Sequence, residues 1–271
     1  MARTTLVLIV TLLVATATAV SRPANFTQHV RNYKAGMVLP YQGGPIKTGN
    51  IPIYLIMYGD WSHEGRKVDL FSKFINKLAD TPWWQIGTYT LPCALCLGRI
   101  AGQSSTSTLT LPSERLYKDK KKRSAGSGTL HVKSIYHDDY SLGMRLYSSS
   151  PQQIVEGAIS AKKNKLPRDP SGVYVVLTAA DVTVEGFCVS WCGYHDSYMQ
   201  SKSRMDFAMV ANPKTICPAA CASGNPIVSP NGDVGIDAQI NVLAHEVSEA
   251  VSDPALNAYI TEVGAGEENG E

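Results

Sequence analysis

An α/β fold, a single domain with a central, mostly buried sheet flanked by helices and tied by disulfides, is the class this sequence predicts. Three observations lead there. Short apolar runs bounded by Gly, Pro and Asp alternate with segments whose apolar residues recur at helical spacing. The chain has 271 residues, 44% apolar and 18% charged, which suits one sizeable core. Its six cysteines fall in three close pairs.

Taken in order, the first strand is the apolar run Ile51 to Tyr58, closed by Gly59-Asp60. Val68, Phe71, Phe74, Ile75 and Leu78 then recur at helical spacing in an amphipathic helix that ends near Pro82. A second helix is expected in "SPQQIVEGAISAKKNKLP", with Ser150 as N-cap. It leads into a strand over Gly172 to Val182. "MDFAMVANP" reads as a third strand, and "DAQINVLAHEVSEAVSD" as a helix closed by Pro254. The turn-rich "SGNPIVSPNGDVGIDAQ" feeds that last helix and supplies its cap. Between Ile86 and Thr129 there is no sustained periodicity, and the run Lys120–Arg123 reads as a solvated loop rather than a polyanion patch.

The amino terminus has the layout of a secretory signal peptide. A cationic Arg3 precedes an apolar run from Leu6 to Ala15, and Ala17-Thr18-Ala19 sets cleavage after residue 19. The apolar run is too short to span a bilayer, and no second segment of spanning length follows, so no transmembrane segment is expected after cleavage. Residues 20–40 form an N-terminal segment that contains a glycosylation sequon at Asn25. The main domain runs over 41–271.

Export into an oxidising compartment makes paired cysteines disulfide candidates. These are Cys188, Cys192, Cys217 and Cys221, with their connectivity open. The pair Cys93 and Cys96 could also be read as a redox centre or part of a zinc ribbon, but the exported context and the pair spacings disfavour both. The formal net charge of +2 gives no argument for a nucleic-acid partner, and none is expected.

The motif that carries chemistry is His245-Glu246-x-x-Glu249, an HExxH zinc-peptidase pattern with glutamate in place of the second histidine. On a helical wheel, Ile240, Leu243, Val247 and Val251 form an apolar stripe. Asn241, His245, Glu249, Ser252 and Asp253 lie on the far side, with Glu246 at its edge. His245 and Glu249 are four residues apart and converge on one point, so both can hold a metal. Asp253 or a downstream carboxylate such as Glu268 is the expected third ligand, and Glu246 the general base. Zinc is the cofactor this pattern would take. The extra negative charge of Glu249 makes a bound water less acidic or favours a harder cation. The bland reading of the same residues is the solvated face of an ordinary helix.

Five stretches, "YQGGPIKTGNIPIYLIMYGDWS", "DDYSLGMRL", "GVYVVLTAADVTVEGFCVSWCGYH", "CPAAC" and "PNGDVGIDAQINVLAHEVSEAVSDPALNAY", carry a resemblance. Together they resemble the EXORDIUM / phosphate-induced protein 1 family, in the subtype that carries an HExxE helix. The resemblance implies an extracellular protein of the apoplast or cell wall, linked to growth and cell-expansion responses, with cell-wall components as unidentified partners and no settled enzymatic activity. A zinc-dependent, peptidase-like hydrolase is the alternative. Against the family pattern, residues 90–127 stand as an atypical insertion. "GEENGE" (Gly266 to Glu271) matches the start of a longer acidic stretch that ends in a cysteine, so the domain reads as truncated at its carboxyl end.

Overall fold

The sheet is built from three strands that the sequence marks as apolar runs and two that it does not. In the computed structural model, residues 39–85, 117–118, 128–222 and 229–259 are described. All of them belong to one compact unit, Tyr33–Glu271. In chain order the elements are β1 (Leu39–Pro40), β2 (Gly49–Tyr58), α1 (Gly65–Leu78), α2 (Pro82–Gln85), β3 (Tyr117–Lys118), β4 (Gly128–Asp138) and β5 (Arg145–Leu146). There follow α3 (Ser150–Ser160), β6 (Val173–Thr178), β7 (Thr183–Val184), β8 (Gly193–Gln200), β9 (Ser203–Val210), α4 (Pro218–Cys221) and α5 (Val234–Ser252).

The five-stranded sheet has the order β4-β2-β6-β9-β8. All neighbours are parallel except β8 and β9, which form an antiparallel hairpin at one edge. Every residue of β6 is buried, as a central parallel strand covered on both faces requires. The sheet is flanked by helices as the sequence predicts. Helices α1 and α5 touch each other, α1 covers β4, and α5 lies over β9 and β8. Helix α3 packs from the opposite side. Glu156 of α3 accepts from Tyr198 Oη (2.7 Å) and Gln200 Nε2 (3.2 Å) of β8, whereas His195 of the same strand faces α5. An odd spacing along a strand puts side chains on opposite faces.

Several boundaries differ from the sequence reading. Ser150 is not the N-cap of α3. The helix begins at it, preceded by Ser149, and the Ser150 hydroxyl accepts from Tyr147 N (2.8 Å). The helix stops at Ser160, because the following "KKNK" offers no apolar face to bury. The strand expected over Gly172–Val182 ends at Thr178, where Ala179 turns back to bond Tyr58 O and Val182 N bonds Ala179 O. The signal peptide, Asn25, Cys93, Cys96, the Lys120–Arg123 run and Glu268 lie outside the described residues. No described helix is long and apolar enough to cross a membrane.

Helix α5 is set in place at both ends. Asp233 caps its start, accepting from Gly235 N (3.1 Å) and Ile236 N (3.3 Å). Burial alone pushes the Asp233 carboxyl up, but hydrogen bonds from Lys214 and Lys67 more than reverse this and bring it down to about 2. One turn further, the buried Gln239 donates to Thr178 O (3.0 Å) and Val210 O (3.2 Å) and accepts from Asn212 Nδ2 (3.0 Å). That network ties the helix to the ends of β6 and β9. At the other end, Lys47 N bonds Val251 O, and the strap 42–44 bonds Asn257 O and Ala258 O.

Beside the strap lies a buried ion cluster. Lys47 Nζ meets Asp206 Oδ2 at 2.6 Å and also donates to Pro170 O and Ser171 O, both at 3.2 Å. Arg204 holds Asp206 through Nε (2.6 Å) and Nη2 (3.2 Å). All three ammonium hydrogens and both carboxylate oxygens have partners.

Candidate functional site

The polar side of α5 is not a wet face. Glu246, Glu249, Ser252 and Asp253 are all buried, each 5% exposed or less, while Asn241 is exposed and His245 is about one-quarter exposed. The reason is topological. The β8–β9 hairpin extends the sheet beneath that side of the helix, and the segment after Asp253 folds back under the 42–44 strap. A wheel divides a helix into two faces but does not say how many neighbours it has. This helix has more than one.

What lies beneath the glutamates is His195 of β8, which sequence reasoning did not single out. Its Nδ1 lies 3.3 Å from Glu249 Oε2 and 3.7 Å from Glu246 Oε2. Its Nε2 lies 3.1 Å from the backbone carbonyl of Asp253. His245 Nε2 approaches the same Glu249 Oε2 at 3.3 Å, as the four-residue spacing on the helix requires. His195, Glu246 and Glu249 offer ligand atoms within 4.8 Å of one another, an arrangement of a size to hold a metal ion. Burial alone pushes the His195 imidazole down, yet the carboxylates of Glu246 and Glu249 outweigh it and bring it up to about 10. Glu249 is likewise pushed up by burial and brought below the usual carboxylate range by His195 and His245.

Asp253 does different work from the ligand role expected of it. It follows the last turn of α5, and its Oδ1 accepts from Asn257 N (2.7 Å) and Ala258 N (2.6 Å). Burial holds its carboxyl above the ordinary range, against those two backbone hydrogen bonds. Its carbonyl, not its carboxylate, reaches His195. A signal for His195 was present. It stands two residues beyond Gly193, at the end of the "CGYH" block, and equal parity places both on the helix-facing side of a strand. Gly193 permits the close approach. A Cβ there would sit 2.3 Å from Val242 Cγ1 and 2.8 Å from Glu246 Oε1.

The hairpin that carries His195 is fastened on its amino-terminal side. The four disulfide candidates pair as Cys188–Cys217 and Cys192–Cys221, with Cα separations of 5.9 and 5.4 Å. These are ordinary disulfide separations. Each bond spans 29 residues. In a chain-entropy treatment the first closure contributes about 3–4 kcal/mol. The second adds less, because the first has already closed the long loop.

Comparison with known proteins agrees with the resemblance read from the sequence. The phosphate-induced protein 1 conserved region matches residues 102–269. EXORDIUM-like 3 of Arabidopsis thaliana is 32% identical over 245 residues, covering 82% of this chain and 63% of the relative. Arabidopsis EXORDIUM is 31% identical over 237 residues, covering 82% of this chain and 68% of the relative. PHOSPHATE-INDUCED 1 of Nicotiana tabacum is 29% identical over 244 residues, covering 82% and 67%. The chain thus spans less than two-thirds of EXORDIUM-like 3, and 59% of the length of EXORDIUM-like 5. No solved structure matches it. The matched conserved region and these relatives make the chain a member of the phosphate-induced protein 1, or EXORDIUM, family.

Proposed function

We propose that this protein is exported and works in the apoplast or cell wall, in growth and cell-expansion responses. The observation that carries the reading is the pair of disulfides, Cys188–Cys217 and Cys192–Cys221. Such bonds form and persist in an oxidising compartment and are rare in the cytosol. The signal-peptide layout of residues 1–19 and the family membership support it. The test is expression of the full chain in plant cells, with recovery from the apoplastic wash and amino-terminal sequencing. The expected product begins at Val20, carries oxidised Cys188, Cys192, Cys217 and Cys221, and changes cell length when overproduced. Retention inside the cell with reduced thiols would sink the export reading. Unchanged cell length at confirmed extracellular levels would sink the growth role.

A second reading, favoured by the buried His195–Glu246–Glu249 cluster, is a zinc-dependent hydrolase of the peptidase type with Glu246 as general base. Zinc would supply a polarised water, and Glu246 would take its proton. The discriminating assay is cleavage of a mixed peptide library by the zinc-loaded chain. Glu246→Gln should keep the metal and lose the cleavage. No cleavage by zinc-loaded wild type would end this reading.

A further inference from the structure

We infer that His195 Nδ1, His245 Nε2 and Glu249 Oε2 are the three protein ligands of a zinc site, with Glu246 beside the open fourth position. This rests on the metal of the second reading above and not on hydrolysis. It puts a histidine from β8 in the place the sequence offers to Asp253 or Glu268.

The first support is the tautomer of His195. A backbone carbonyl can only accept, so the 3.1 Å contact with Asp253 O places a proton on Nε2. With Nε2 so fixed, Nδ1 is the ring atom turned toward Glu249 and Glu246, and it is the atom a cation would bind on displacing its proton. Metal-bound histidines are characteristically held in this way, the far ring N–H fixed by a carbonyl or carboxylate. Asp253 is therefore a positioning residue, acting through its main chain.

Distance is the second support. Zinc–ligand bonds of about 2.0–2.1 Å in a tetrahedron put ligand atoms about 3.3–3.4 Å apart. Two such edges are already present. Glu249 Oε2 lies 3.3 Å from His195 Nδ1 and 3.3 Å from His245 Nε2. Both pairs share one oxygen, so the ring nitrogens of two elements converge on the same carboxylate.

The third support is what the cluster lacks. Glu249 is 1% exposed, and neither of its carboxylate oxygens has a hydrogen bond, nor has His195 Nδ1. Among the described residues, the buried carboxylates of Asp138 and Asp206 have both oxygens hydrogen-bonded, and a buried charge without hydrogen bonds is costly. A divalent cation answers all three atoms at once. Imidazole with carboxylate is an accepted zinc donor set. His245, the one partly exposed member, marks the side from which the ion and its water would enter.

The full chain is loaded with zinc alone, dialysed, and assayed for metal by mass spectrometry and for its ligands by X-ray absorption. One zinc per chain is expected, with outer-shell scattering from two imidazoles, and His195→Ala should weaken binding by about 100-fold or more. A folded wild type that takes up no zinc, with His195 seen as imidazolium by NMR, overturns both the metal reading and this assignment. One zinc coordinated by a single imidazole, or an unchanged affinity in His195→Ala, leaves the metal reading standing and overturns the role of His195. If His195→Ala does not fold, the imidazole count in the wild type decides.

Discussion

Two ionic clusters are buried on the α5 side of the sheet, and they differ in completeness. Around Lys47 and Asp206 every hydrogen-bonding position is taken: three acceptors for the ammonium, three donors for the carboxylate. Around His195 and Glu249, the same kinds of group come within 3.3 Å of each other and leave polar atoms unmatched. Both cost desolvation. The first recovers it within the protein and needs nothing else, which is the mark of a structural cluster. The second leaves atoms unmatched, and the proposed zinc ion would supply what they lack.

The contrast can be broken most forcefully at the closed cluster. Asp206→Asn leaves the buried Lys47 ammonium without its anion and should cost about 3–5 kcal/mol in urea unfolding. A loss below about 1 kcal/mol would mean that the cluster is not closed in the way its distances state. Gly193→Ala attacks the open cluster through its packing. The new methyl meets Val242 Cγ1, Glu246 Oε1 and the Met209 carbonyl, so α5 must lift from β8 at a cost of about 1–3 kcal/mol. The same variant should bind zinc more weakly, since the helix carries two of the proposed ligands and the strand the third. Unchanged zinc affinity together with lost stability would separate packing from the site.

Glu249→Gln in chelator-treated protein should cost only about 1 kcal/mol, less than Asp206→Asn, because Glu246 remains to oppose His195. With zinc present the gap to wild type should widen, as a bound ion stabilises only the chain that can hold it. Equal gaps with and without zinc would place Glu249 outside any metal site.

The smallest effect belongs to pH. The folded-state value of Asp233 is below its ordinary one, so its contribution is present above about pH 4 and is lost as pH falls through about 2. After allowance for solvent screening, this amounts to about 1 kcal/mol or less. Asp233→Asn keeps the cap and should remove that part of the acid sensitivity, as read from unfolding curves between pH 5 and pH 2.

How far the sequence spoke depended on where each strand lies. The inner strands β2, β6 and β9 are apolar runs, because both faces are covered, and all three were legible. The edge strands β4 and β8 were not. "GTLHVKSIYHD" and "GYHDSYMQ" bury few of their residues and carry polar groups on at least one face. Because β8 escaped notice, so did His195. The helix partners of the site could be read from the local i,i+4 spacing, but the partner from β8 is brought in by a sheet register fifty residues away. Cysteine pairing was undetermined for the same reason: equal spacings of four residues in both pairs fit a ladder as well as two local rings, and only the fold chooses the ladder.

That ladder has a consequence for survival among proteases. The exposed turn between β8 and β9, at Ser201-Lys202, is a natural point of attack, and it lies inside both disulfide loops. A cut there would sever the chain without releasing a fragment. The nicked molecule would remain covalently one piece, held by two sulfur bonds and by the sheet, and would migrate as two pieces only after reduction. Damage at the most accessible point of the hairpin therefore need not cost the protein the strand that holds His195.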